Sequence, residues 1–378
     1  MTSTEVTQIN NLSESSSTIV GRLAENLGSS PKVTKAINQV IRDIVSFLAE
    51  ENSSLSSLEN EILGEVFLHK VDHPTAALTF LENIFKGMKE MKVFDPDKAI
   101  PDELFKRIAA FELIHFNIME SMGEIEDLRN YALQLEFNKY ILGRFLGIDQ
   151  NARPSSELTA AINRNGIENL FIMLEKLSDK YGFGKYEGDD DPITMDLRRN
   201  LFLQVGSYFS AMCKKHARLS DSEVKPSIRF EGDSIGYHVE IFAILLFKDS
   251  GFVNSETYNR IEKAKMSLGE LNVIFDDVVD VLEDNKNNDS NTMSRFVKGD
   301  YPVEATYSEI KRIIAVVDKD FDTVLRDPNI NNFERALITV FRRIIPDMVV
   351  LYGMKNKLVS GNTVQREVFK KLMEDYGI

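Results

Sequence analysis

Apolar residues recur along the chain with the spacing of a helix. In KAINQVIRDIVSFLAEE, AALTFLENIFKGMKEM and LFKRIAAFELIHFNIMESMGEIEDL they fall at i, i+3, i+4 and i+7, which lines one face of a 3.6-residue repeat. Sustained alternation of apolar and polar positions, rich in β-branched residues, is absent, so no half-buried strand is expected. Most of the prolines stand between helical runs and mark their ends; Pro346 instead falls inside an apolar run and predicts a kinked helix. The pattern predicts an all-α chain of roughly ten to thirteen helices, without an internal repeat or a long linker. The opening stretch through Ser17 is rich in Ser, Thr and Asn and lacks an apolar core. It reads as a flexible leader, drawn here over 1–30, before one helical domain over 31–378.

Composition narrows the class. With 378 residues, 43% hydrophobic and 28% charged, the chain is long enough for one large core or two ordinary ones. No run of eighteen apolar residues occurs, so a soluble protein without a transmembrane helix is expected, as monomer or homodimer. The single cysteine, Cys213, excludes an internal disulfide and a cysteine-based zinc site. That fits a reducing compartment such as cytoplasm or plastid, including a chain from which a transit peptide has been trimmed. A net charge of −14, from 59 acidic and 45 basic residues, argues against a general nucleic-acid binder. It leaves room for a small phosphorylated ligand held through metal ions. There are 24 Phe and 11 Tyr but no Trp, so an aromatic pocket must be built from the first two.

The stretch with the most chemistry is Leu271–Asp284, LNVIFDDVVDVLED. Read as a helix, Asp276, Asp280 and Asp284 stand at i, i+4 and i+8, so their carboxylates stack along one face. Phe275, Val278, Val279, Val281 and Leu282 surround them and predict burial. Stacked, buried carboxylates repel and lose hydration unless a cation sits among them, and hard oxygen donors suit Mg²⁺. A solvated acidic face is the plainer alternative, but apolar residues crowding both sides of the row favour the metal. The other acidic cluster, Asp189, Asp190 and Asp191 in the glycine-bearing loop Tyr181–Met195, reads as solvated surface because three adjacent aspartates in a turn point different ways.

The D-D-x-x-D-x-x-x-D pattern from Asp276, with Asn285, Lys286 and NDSNTMSRF after it, resembles the class I terpenoid synthases. The resemblance spans about Asp102 to Met354. It implies a helical bundle around a central active-site cavity, and places Mg²⁺ on Asp276, Asp280 and Asp284. An all-Asp set departs from the cyclase triad and leans toward the chain-elongating prenyl synthases. The family's earlier D-D-x-x-D is missing. Its best counterpart is Glu120-Ser121-Met122-Gly123-Glu124, where Glu120 and Glu124 are i, i+4 neighbours; the alternative is surface charge at a helix end. Arg229, in KPSIRFEGDSIG, is similar in position to the family's diphosphate-sensing arginine. Lys286 is a second diphosphate candidate, with Arg295 and Lys298 behind it. The C-terminal Arg-Tyr pair of bacterial cyclases has no counterpart, which leaves Lys355, Lys357 or no residue for that part. Phe111, His115, Phe116, Tyr208, Phe209, Tyr237 and Phe275 are candidates to wall an isoprenoid pocket, with aromatic faces toward a carbocation. At helical spacing such residues are more often plain core, and His115 and His238 read as core histidines before bases. No covalent nucleophile is expected.

The resemblance implies ionisation of an allylic prenyl diphosphate, geranyl diphosphate first, with three fates for the cation. Chain elongation normally calls for two full aspartate-rich motifs. Intramolecular capture would make a mono- or sesquiterpene. Transfer to a small nucleophile is the activity of the algal terpene-cyclase-like enzymes of kainoid biosynthesis, which geranylate the amine of L-glutamate. The chain is similar to that group in its degenerate first motif and missing Arg-Tyr pair, so transfer stands narrowly ahead of cyclisation. An inactive helical scaffold beside a prenyl synthase is the remaining alternative.

Overall fold

A computed structural model describes residues 3–50, 55–93, 97, 99–123, 125, 130–148, 152–183, 185, 198, 199, 202, 203, 264, 267–269, 271, 272, 274–279, 281, 303–359 and 363–378. Among them every regular element is helical and none is a strand, as the periodicity predicts. No helix of these residues is long and apolar enough to cross a membrane. The chain forms two compact units, one of residues 1–79 and 99–213 and one of residues 80–98 and 214–378.

The first unit holds α1 (Ser3–Asn26), α2 (Pro31–Glu50), α3 (Ser57–His69), α5 (Asp102–Phe111), α6 (Met119–Gly123), α7 (Tyr131–Phe145), α8 (Ser156–Asn165) and α9 (Glu168–Tyr181); the boundary falls within α4 (Asp72–Glu90). Most of the stretch expected to be a flexible leader is therefore helix. Val20 and Leu23, at 0% and 3% exposure, give α1 an apolar edge, and α1 packs on α2 and α3. α2 repeats the logic with Val33, Ile37, Val40, Ile41 and Ile44, all 0% exposed, against α5 and α9. Pro31 opens α2, where its missing N–H costs nothing.

α5 and α6 are joined by a π-helical segment, Glu112–Ile118, where apolar spacing alone predicts an uninterrupted α-helix. Phe105, Ile108, Phe111, Leu113, Ile114 and Met122 of this rod are each at most 1% exposed. The acidic and basic residues Asp102, Glu103 and Lys106 stay at the solvent-facing start of the rod.

In the second unit α10 (Val303–Leu325), α11 (Asn332–Val359) and α12 (Thr363–Tyr376) pack pairwise. Phe321, Leu337, Phe341, Val349, Phe369 and Leu372 supply the core, none more than 1% exposed. Pro346 lies inside α11, which continues past it to Val359. Gly87 of α4 lies where a Cβ would come 2.5 Å from Val340 Cγ2, so only glycine lets the backbone approach that side chain. The neighbouring Asn83 donates from Nδ2 to Asp347 Oδ2 at 2.9 Å.

Candidate functional site

The acidic segment lies in the second unit, and its described positions between 264 and 281 are helical, as the pattern predicts. Ala264, Leu271, Phe275, Val278, Val279 and Val281 are buried at 4% exposure or less. Phe275 sits between two rings, 5.7 Å from Tyr352 and 5.9 Å from Phe369, centroid to centroid. It is a core residue here. Asp277 is 9% exposed, while Asp276 is half-buried, so the first carboxylate of the row reaches the edge of a segment that is otherwise packed away.

That edge suits a hard cation in part: one carboxylate on a rigid, largely buried helix can donate oxygen while solvent or ligand completes the shell. Asp280 and Asp284 lie outside the described residues, and among the described residues no three His, Cys, Asp or Glu side chains converge as a metal group. Arg229, Lys286, Arg295, Lys298, Tyr208, Phe209, Tyr237, His238, Cys213, Asp189, Asp190 and Asp191 also lie outside them.

The earlier acidic motif belongs to the first unit. Glu120 stands in α6 and Glu124 outside the described residues; His115 and Phe116 stand in the π-helical segment. Phe111 is 0% exposed and meets Phe145 edge-on at 5.4 Å. Lys355 and Lys357 fall within the last turns of α11. A cleft of about 510 Å³ in the first unit, lined by Ser29, Ser30, Thr34, Lys35 and Arg42 among others, contains none of the candidate site residues.

Three groups stand out that the motifs do not predict. Glu112, first residue of the π-helical segment, is 6% exposed, and no described residue pairs with its carboxyl; burial pushes it up to about 8. Its signal in the sequence is a lone acid inside FELIHF. Gln365 of α12 and Tyr352 of α11 hold the acidic segment by hydrogen bonds, and no local pattern marks either one. The opposite case to Glu112 is Asp43, 8% exposed, which accepts from Lys180 Nζ at 2.6 Å, from Gln39 Nε2 at 3.1 Å and from the Tyr181 hydroxyl. Burial works against its charge, but these bonds outweigh it and hold its carboxyl below the usual range.

No model of a known protein family matches the chain, and a search of curated proteins returns no match.

Proposed function

We propose that the protein is a class I terpenoid-synthase-like enzyme. In this reading it ionises an allylic prenyl diphosphate, geranyl diphosphate first, with Mg²⁺ and transfers the prenyl group to a small nucleophile such as the amine of L-glutamate. The observation that supports it best is the half-buried Asp276 at the head of an i, i+4, i+8 aspartate row, on a segment whose other described positions are mostly core. A solvated acidic helix would keep polar residues beside its acids; here Phe275, Val278 and Val279 flank the row and are each at most 1% exposed.

In this reading Asp276, Asp280 and Asp284 hold the metal, and Arg229, Lys286 and Arg295 grip the diphosphate. Bound Mg²⁺ supplies Lewis-acid neutralisation of the charge that develops on the leaving diphosphate. The allylic C–O bond breaks and diphosphate leaves with the electron pair; the amine lone pair forms the new C–N bond, and the nitrogen gives up a proton to the released diphosphate. The chain itself has to exclude water from the cation.

The test is to incubate the protein with Mg²⁺ and geranyl diphosphate, with and without L-glutamate, and to identify organic product and released diphosphate. A geranylated amine formed only with the amino acid is expected, and Asp276→Ala should lower turnover by at least a hundredfold, since it removes a metal ligand. A hydrocarbon or alcohol formed without the amino acid would replace transfer with cyclisation. No turnover, unchanged by Asp276→Ala, would leave a non-catalytic scaffold.

A further inference from the structure

Among the hydrogen-bonding groups that hold the acidic segment within its unit, two flank Asp276, one on either side. On the N-terminal side Tyr352 donates its hydroxyl hydrogen to Asn272 Oδ1 at 3.0 Å. Asn272 lies one turn before Asp276, on the same face of the helix. On the C-terminal side the Gln365 carboxamide, 3% exposed in the first turn of α12, donates from Nε2 to the carbonyls of Val278 at 2.7 Å and Val279 at 2.6 Å. An amide nitrogen carries two hydrogens, one for each carbonyl. Successive carbonyls are set about 100° apart around the helix axis and at different heights along it, so a single group that satisfies both restricts sliding along the axis and rotation about it. Between the two anchors Phe275 fills the gap against the Tyr352 and Phe369 rings.

We propose that Gln365 and Tyr352 are positioning residues that set the rotation and height of Asp276, so that the grip on a divalent cation depends on α11 and α12. The inference rests on the reading of Asp276 as a metal ligand given above. It goes further in assigning part of the metal affinity to the C-terminal helix, through a neutral amide that touches no metal and no substrate. A hydrogen bond of the same kind serves as the control: Ser267 Oγ donates to Asp320 Oδ2 at 2.8 Å, on the same segment but nine residues before Asp276.

The experiment is Mn²⁺ binding to the full chain, followed by electron paramagnetic resonance of the free ion, well below the thermal midpoint of every variant. Gln365→Met keeps the length and burial of the side chain and removes both donors. It is expected to weaken Mn²⁺ binding about tenfold, the equivalent of one hydrogen-bonding group's worth of misplacement, and Tyr352→Phe about threefold. Ser267→Ala is expected to stay within about twofold of the parent while lowering the thermal midpoint, because it loosens the segment far from Asp276. Parent-like Mn²⁺ affinity in both Gln365→Met and Tyr352→Phe would overturn the positioning role and leave the metal reading standing. Equal losses in Ser267→Ala and Gln365→Met would also overturn it, since general loosening would then explain both. A parent that binds no Mn²⁺, or binds it equally well as Asp276→Ala, would overturn the metal reading and this inference together. Should Gln365→Met fail to fold, Tyr352→Phe, which removes one oxygen atom, decides the matter on the same readout.

Discussion

Two glutamates of the first unit show how little burial says by itself. Glu59 is 0% exposed and Glu112 is 6% exposed, and both stand on helices packed into the same core. Glu59 receives four hydrogen bonds. Oε2 accepts from Ser56 N at 2.9 Å and Asn169 Nδ2 at 3.0 Å, and Oε1 from Asn169 N at 2.9 Å and Leu170 N at 3.1 Å. It thereby completes the capping box of α3 and also caps α9, whose own N-cap residue, Ile167, offers no side-chain acceptor. Glu112 receives none of this from the described residues, and its carboxyl rises to about 8 from burial alone. The same side chain is a structural brace where N–H groups replace its water and a proton-holding group where no described group does.

The comparison breaks most visibly at Glu59. Glu59→Ala leaves four donors facing a space they cannot rehydrate, and removes caps from two helices. At about 1 kcal/mol for each lost bond, the variant should lose about 4 kcal/mol, read as a shift of the urea midpoint at unchanged slope. A loss below about 1 kcal/mol would mean that water replaces the carboxylate, and the contrast with Glu112 would collapse.

What was legible in the sequence follows the range of each interaction. The helical class shows because helices are local: Val33, Ile37, Val40 and Ile44 carry it within a few turns. The Ser56-x-x-Glu59 spacing is equally local, but the reach of Glu59 to Asn169 spans 110 residues and leaves no pattern in either stretch. The π-helical turn at Glu112–Ile118 hides for another reason, since FELIHFNI keeps enough apolar residues to satisfy an ordinary helical repeat. At the candidate site the aspartate row is written in the spacing, and its first member does stand half-buried on a packed helix. The helices that hold it are not, because Gln365 meets Val278 across 87 residues of chain.

Glu112 sharpens the contrast through pH. Below about pH 4.5 its carboxyl is protonated in the folded and the unfolded chain alike, and burial carries no ionisation penalty. As pH rises from there toward 8, the unfolded chain releases the proton and the folded chain retains it, so stability falls progressively and levels off above the folded value. Glu112→Gln has no proton to release. The stability difference between this variant and the parent should therefore move by about 3 kcal/mol in the variant's favour between pH 4.5 and pH 7. Denaturant titrations at the two pH values read it directly. A difference that does not change with pH would show that a partner compensates the ionised carboxylate.

The smallest change separates the two duties of Glu59. Ser56 Oγ accepts from Glu59 N at 3.1 Å, while the Glu59 carboxylate accepts from Ser56 N through the main chain. Ser56→Ala deletes the first bond and leaves the main-chain donor of the second in place, along with all three bonds to Asn169 and Leu170. It should cost about 1 kcal/mol, the ordinary value of an N-cap serine. Amide exchange should quicken at the start of α3 and stay at parent rates at Asn169 and Leu170. If protection at Leu170 fell as far as at Glu59, the two caps would open as one unit. Glu59 would then be a single joint between α3 and α9, and the cost of removing it would exceed the sum of its separate bonds.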